Sequence, residues 1–180
     1  FSIMVEAIPL LALQKTLSGV VGGAVQFDKS LQNLNAIAKL SKDELNAVKG
    51  ELLDMVSSGE SAGQSVTDLA EALYTIQSSG FQAKDSIELL EVAARGATAG
   101  LTDTQTATRV LTAILNAFGT AAGTPQEAMD ILFRTVDLGV VTFEQLATSM
   151  GQVIPTAATL GVSLAEMGAA YIVLTRHGLD

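Results

Sequence analysis

The 180-residue sequence contains no cysteine and no tryptophan, and only one histidine. Without cysteine there is no disulfide framework, no thiolate metal site and no cysteine nucleophile. Aromatic residues make up 4% of the chain, whereas 48% of its residues are apolar. Alanine, leucine, valine and isoleucine must therefore fill the interior, which favours closely packed helices over an aromatic-rich β-sandwich.

Charged residues are also scarce, at 16% of the chain. Ten Lys and Arg residues stand against nineteen Asp and Glu residues, which gives a net charge of −9. No cluster of basic residues occurs, and wrapping a phosphate backbone requires concentrated positive charge. We therefore expect no sequence-specific binding of nucleic acid.

The first 25 residues are apolar enough to raise the question of a membrane segment. Glu6, Pro9 and Lys15 interrupt them, and no run reaches the roughly 18 apolar residues that a spanning helix needs. The segment also lacks the basic start and cleavage pattern of a signal peptide. Membrane contact of this segment is not expected, and the opening Phe1 indicates a piece of a longer chain.

Helix-start signals of the capping-box type recur along the chain. In each, a Ser or Thr hydroxyl accepts a hydrogen bond from the third helical N–H, and a Glu or Gln at that position reaches back to the cap. A weaker version with aspartate occurs at Ser65–Asp68. The full signals are Ser41–Glu44, Thr102–Gln105, Thr124–Glu127, Thr142–Gln145 and Ser163–Glu166.

Glycines follow where these helices should end, because glycine accepts the left-handed backbone of a helix C-terminus without steric cost. From Gly80 onward they recur about every twenty residues, which is one helix plus a short connection, and such helices should pack as antiparallel neighbours. The glycines are Gly59, Gly80, Gly100, Gly119, Gly139, Gly161 and Gly178.

These signals predict an all-α fold, in which a long N-terminal helix precedes antiparallel helical hairpins in an irregular helical array. Residues 41–64 form a connecting helix, and residues 65–180 hold three hairpin units of similar length. The units are 65–100, 101–139 and 140–178. Pro155 should kink the helix of the last unit or split it near Ile154.

Residues 1–40 differ from the rest, because apolar residues step by three and four without a break, as in the a/d seam of a coiled coil. The flanking positions carry almost no charge, so we expect a long helix packed on its neighbours or on identical copies. The seam residues are Leu10, Leu13, Leu17, Val20, Ala24, Phe27, Leu31, Leu34 and Ala38.

The sequence shows no group of residues with the spacing of a catalytic or metal-binding site. His177, the lone histidine, has no partners at metal-ligand or triad spacing, and a cation at a helix C-terminus is favourable by itself. The acids Asp28, Asp43, Glu44, Asp85, Glu88 and Glu91 fall on predicted exposed faces or first turns, whereas a general acid needs a raised pKa. No phosphate-binding glycine motif occurs. We predict no catalytic, cofactor-binding or metal-binding residue, and no enzyme.

Helix 163–177 is apolar on most sides. Leu164, Met167, Tyr171 and Leu174 form one stripe, and alanines, Ile172 and Val173 make much of the remainder apolar too. A helix of this kind is buried or lies at an interface. Two interpretations stand: a following segment or neighbouring subunit covers it, or it is the central core helix.

Several stretches resemble the helical core of phage tail tape measure proteins, from about residue 24 to residue 180. In 79–81 this chain has Phe81 where that family tends to have Trp or Tyr, and its Arg176–His177 ending also departs from the family. The stretch 155–166, PTAATLGVSLAE, is the most specific. The others are 27–34 (FDKSLQNL), 68–73 (DLAEAL), 115–119 (LNAFG) and 142–147 (TFEQLA).

The resemblance implies a structural protein of the virion tail that is assembled in the host cytoplasm. Such a protein runs along the tail tube, sets tail length, and leaves ahead of the DNA. It also implies tail tube proteins, tail tip or baseplate proteins and tail assembly chaperones as partners, and association of identical copies. The alternative from the residues alone is a helical-repeat scaffold that binds other proteins on a concave face.

Overall fold

The computed structural model describes residues 22–59 and 63–178. Within these ranges the chain is helical and has no β-strand, so the predicted all-α fold is confirmed. The first helix, α1, occupies residues 22–38. It is followed by α2 (Lys42–Ser57), α3 (Val66–Ser78), α4 (Ala83–Ala99), α5 (Thr104–Phe118), a short 3-10 helix (Gly119–Ala122), α6 (Pro125–Leu138), α7 (Phe143–Thr159) and α8 (Leu164–Arg176).

Reciprocal capping boxes open five of these helices, as the sequence predicts. They begin at Ser41, Ser65, Thr124, Thr142 and Ser163. The prediction at Thr102 is wrong. Asp103 caps α5 instead, because its carboxylate accepts from the backbone N–H of Thr106 at 2.7 Å. The side chain of Gln105 is thereby released to donate to Thr75 on α3, at 2.7 Å.

Helices end near the predicted glycines, but not always by the expected geometry. Gly80, Gly119 and Gly161 have positive φ, whereas Gly100 has φ −84° and Leu101 takes the left-handed conformation at φ 52°. Gly100 serves close packing instead: a Cβ there would lie 3.0 Å from Cγ of Phe143. The helix therefore ends on a leucine in a conformation that glycine usually supplies.

Helices α3 to α8 form two rows. The first row contains α3, α5 and α7, and the second contains α4, α6 and α8, with each helix packed on the next helix of its own row. Helix α5 also packs on α4, and α7 packs on α6 as well as on α5. Helices α5 and α7 therefore each sit over the groove between the two helices that precede them.

Neighbouring helices were expected to pack as antiparallel pairs, and this holds least well for the last pair. The main contacts of α7 are with α5, and those of α8 are with α6. Consequently α7 and α8 are splayed at the end of the array. The division into units 65–100, 101–139 and 140–178 stays a prediction.

Small residues bring the second row close together. A Cβ at Gly96 of α4 would lie 2.6 Å from Cε of Met129 on α6. A Cβ at Gly168 of α8 would lie 2.5 Å from Oγ1 of Thr135, also on α6. That hydroxyl is held by its own hydrogen bond to the carbonyl of Ile131, at 2.8 Å. The spacing between α6 and α8 thus depends on the missing side chain at Gly168.

The middle of the predicted seam is buried within the chain. Phe27, Leu31 and Leu34 of α1 are 5% exposed or less and join the same core as α3 to α7. Ser30 of α1 donates to the Glu71 carboxylate of α3 at 3.4 Å. The seam from Phe27 to Leu34 therefore packs on its neighbours, whereas Ala24 is exposed. Residues 1–21 of the predicted helix lie outside the described residues.

The last two helices test two further expectations, one about Pro155 and one about the position of helix 163–177. Helix α7 runs unbroken through Pro155, so of the two predicted effects of this proline the split near Ile154 is wrong, and the kink stays a prediction. Helix α8 is not the central core helix: Val173 and Leu174 are 56% and 45% exposed at the end of the array. The central position belongs to α5, which packs on α3, α4 and α7.

Candidate interaction surface

Three glutamates of the capping boxes are held in their charged form. The N-cap hydroxyl and backbone N–H of Ser41, Thr124 and Ser163 hydrogen-bond the side chains of Glu44, Glu127 and Glu166 and lower the pKa of each from its ordinary value of 4.5. A general acid at neutral pH needs the opposite shift. These glutamates stabilise helix starts.

Asp103 is the other described acid whose pKa departs clearly from its usual value. Partial burial raises the pKa of this carboxyl, but hydrogen bonds from Thr106 and the charge of Arg109 outweigh burial, so that the pKa is lowered from 3.8. This carboxylate is therefore also ionised at neutral pH, in its role as the cap of α5.

The acids singled out in the sequence are not buried. Asp43, Asp85 and Glu88 are exposed, and Glu91 is half-buried. Asp28 is exposed and forms an ion pair with Lys49 of α2, at 3.3 Å. An ion pair this exposed contributes little to stability, and it serves mainly to set α1 against α2.

His177 caps the C-terminus of α8. Its backbone N–H donates to the carbonyls of Val173 and Leu174 at 3.2 and 3.1 Å, and the residue is exposed. Among residues 22–59 and 63–178, no cluster of three or more metal-ligating side chains is close enough to hold a metal ion. The structure therefore places His177 at the end of a helix, with its backbone N–H as the capping group.

The broadest concave surface of functional interest is a groove between α7 and α8, with a volume of about 740 Å³. Val141, Val153, Tyr171 and Leu174 supply much of its apolar lining. Glu144, at the first turn of α7, is the charged residue of this lining. The groove is wide because α7 and α8 pack mainly on the preceding pair and little on each other.

A smaller cleft of about 560 Å³ lies between α1, α3 and α5. It is more polar, with Ser30, Glu71, Tyr74 and Gln105 among its lining residues. Several of these groups already hydrogen-bond across the cleft, from Ser30 to Glu71 and from Gln105 to Thr75. The cleft thus joins α1 to the array.

Sequence reasoning gave a covering segment or subunit as one of two interpretations of helix 163–177, and it did not find the groove. The signal for α8 was its apolar character on most sides. The α7 side of the groove was not visible, because Gln145, Thr148, Ser149 and Gln152 read as an ordinary polar face. Leu101 and Val140, 95% and 70% exposed in the connections before α5 and α7, carried no periodic signal either.

Across the part of the chain that the structure describes, none of the helices combines the length and the apolar character needed to cross a membrane. The apolar opening segment that raised this question falls mostly in residues 1–21, outside the described residues.

Comparison with known proteins gives one family. Residues 54–180 match the phage-related minor tail proteins, and this range covers α3 to α8 and so the whole two-row array. No curated protein matches the chain. No solved structure matches it either. Since the match spans more than half of the sequence, the chain belongs to the family of phage-related minor tail proteins, and it is a structural component of the virion tail.

Proposed function

We propose that the protein is a tape measure protein, which sets tail length while it occupies the tail tube and tip during assembly and is released before the DNA leaves. The observation that carries the proposal is the pairing of two different parts in one chain. A heptad-patterned segment runs from Leu10 to Ala38, and it leads into an array that belongs to a minor tail family.

The physical basis of a ruler is the constant rise of a helix. Each residue adds about 1.5 Å along the axis, so the length of a continuous helix is proportional to the number of residues in it. The seam spacing suits such a helix, whereas the array gains much less length per residue, because its helices fold back in two rows.

The stretches that resemble tape measure proteins have structural roles in this fold. The most specific, 155–166, contains the last turns of α7, the left-handed Gly161 and the capping box of α8. The stretch 115–119 closes α5 at Gly119, and 142–147 opens α7 with the box of Thr142. Such motifs encode helix ends, which fits a structural role.

A tape measure role implies contacts with tail tube proteins, with tail tip or baseplate proteins and with tail assembly chaperones. It also implies self-association of the chain, and assembly in the host cytoplasm before the tail is complete. These contacts form part of the proposal. Catalysis plays no part in it, in keeping with the lowered pKa of the glutamates at the helix starts.

The test is an insertion of roughly forty residues, in whole heptads, immediately before Gly22. Whole heptads keep the seam in register, so that Phe27, Leu31 and Leu34 still pack on the array. Electron microscopy of the resulting particles should show tails longer by about 60 Å. A matched insertion of Gly and Ser residues in the connection 59–65 is the control. Unchanged tail length with both insertions would refute the ruler.

A second candidate function is a helical-repeat scaffold that binds another protein. The open groove between α7 and α8 favours it, since repeat arrays use such surfaces to bind partners. A scaffold predicts that both insertions leave tail length unchanged, whereas substitutions in the groove abolish assembly. Tail length therefore separates the two functions.

A further inference from the structure

The array itself contains filled examples of the groove that α7 and α8 leave open. Helix α5, with 15 residues, packs on both α3 and α4. Helix α7, with 17 residues, packs on α5 and, less extensively, on α6. In both cases an amphipathic helix of about four turns covers a pair of helices. The next position in this series is the groove between α7 and α8, which no described helix covers.

The lining of this groove is ready for an apolar occupant. Val153 and Leu174 are 43% and 45% exposed there. The hydroxyl of Ser149 donates to the carbonyl of Gln145 at 2.7 Å. The hydroxyl of Thr175 donates to Tyr171 at 2.9 Å and accepts from the N–H of Val140 at 3.2 Å. These two hydroxyls already have partners within the chain, so an occupant that covers them leaves neither hydroxyl without a hydrogen bond.

The negative charge of the groove and of the chain indicates that the occupant carries basic residues. Glu144 is the charged residue of the lining, and it lies at the N-terminal end of α7. The chain as a whole has a net charge of −9. An occupant that carries a Lys or Arg beside its apolar stripe would pair with Glu144, and a basic helix would be attracted to this surface over longer distances.

A folded second copy of the chain is a poor occupant of this groove, because the apolar stripes of its array helices are not accessible. The apolar stripes of α3, α5 and α7 are buried within the chain, as Leu73, Leu111 and Leu146 are at 0% exposure. We therefore propose that the α7–α8 groove binds an amphipathic α-helix of a different protein, with an apolar stripe of about four turns and a basic flank. This inference does not depend on the ruler function.

The experiment uses the complete 180-residue chain and a synthetic peptide of residues 104–118, the sequence of α5. The peptide carries the stripe of Ala107, Val110, Leu111 and Ile114, with Arg109 beside it. A hydrocarbon staple on its polar side offsets the cost of helix nucleation, which is high for so short a peptide. Fluorescence anisotropy of the labelled peptide should show saturable binding.

Two variants with matched exposure locate the binding. Leu174→Glu places a charge in the groove, and Leu53→Glu places one on α2, where Leu53 is 46% exposed. Leu174→Glu should weaken binding about tenfold or more, the effect of losing a buried leucine contact. Leu53→Glu should leave binding unchanged. Circular dichroism of both variants should match that of the wild type, because both positions are exposed.

Three results would overturn the proposal. The first is the absence of saturable binding to the wild type. The second is equal binding to both variants. The third is a concentration-dependent dimer, measured by light scattering, that Leu174→Glu abolishes and Leu53→Glu does not, because the occupant would then be a second copy. A monomer that binds the peptide through Leu174 supports it.

Discussion

The close approach of α8 to α6 makes a sharp prediction about two glycines. Gly168→Ala should destabilise the protein, and Gly151→Ala should stabilise it. Both residues lie inside helices, where replacing glycine by alanine gains about 1 kcal/mol of helix propensity. They differ in surroundings: no heavy atom lies within 4 Å of a Cβ built at Gly151, whereas one at Gly168 lies 2.5 Å from the Thr135 hydroxyl.

The magnitude follows from that distance. Ordinary contact begins at 3.4 Å, so the two helices must separate by almost 1 Å or Thr135 must leave its rotamer. Thr135 is 2% exposed and β-branched, and its hydroxyl is bonded to Ile131, so neither adjustment is easy. Overpacking of this kind costs about 1–3 kcal/mol. After the gain in helix propensity, Gly168→Ala should lose roughly 1 kcal/mol net.

Urea denaturation followed by far-UV circular dichroism measures both changes. The difference between the two variants should be about 1–3 kcal/mol, because the propensity gain is common to both. Thr135→Ala removes the clashing atom, so the double variant with Gly168→Ala should lose less than the sum of the single losses. Equal stabilisation by both alanines, or strict additivity in the double variant, would refute the packing described for α6 and α8.

Three other predictions concern stability. Leu111 is fully buried in the central helix, whereas Leu53 on α2 is exposed. Leu111→Ala should lower the free energy of unfolding, measured by urea denaturation, by about 2–5 kcal/mol, and Leu53→Ala should lower it by about 0.5 kcal/mol or less. Similar losses would contradict the placement of α5. Leu101→Gly should raise the free energy of unfolding by about 1 kcal/mol, because it relieves a left-handed leucine; a loss would show that the Leu101 side chain stabilises the fold. Glu166 has a lowered pKa because Ser163 hydrogen-bonds its charged form, so its stabilisation is present above pH 4.5 and is lost as the pH falls through the folded pKa. Glu166→Gln should therefore reduce the drop in melting temperature between neutral pH and about pH 3, and an unchanged drop would remove Glu166 as a source of acid sensitivity.

Helix starts were predictable because a capping box is a local pattern. Thr142 and Gln145 are three residues apart, and their hydrogen bonds need no other part of the chain. Asp103 and Thr102 show the limit of this reasoning. Either residue could cap α5 on the local pattern alone, but the structure has Asp103 as the cap, and the side chain of Gln105 hydrogen-bonds Thr75, thirty residues earlier in the sequence.

The arrangement of the helices was less predictable, since it depends on contacts between distant residues. The apolar stripe of α5 identified its buried face, but its position over α3 and α4 depends on the shape of both helices. Gly100 shows the same limit, because Phe143, 43 residues later, requires the absence of its side chain. The α7–α8 groove could not be predicted from the sequence for the same reason. It forms because α7 packs mainly on α5 and α8 mainly on α6, so that the two helices are splayed.

The measurement that tests most directly whether the folded array is distinct from the ruler is tail length after deletion of residues 101–139. This range holds α5 and α6, which contact α3, α4, α7 and α8. Its removal exposes the apolar faces of both neighbours, and repeat arrays are stabilised by those interfaces. We predict that no tails form. The deletion variant should therefore misfold and form no tails, whereas the variant with heptads inserted before Gly22 should form longer tails. Viable tails shortened in proportion to the 39 deleted residues, by about 60 Å, would contradict a folded module distinct from the ruler.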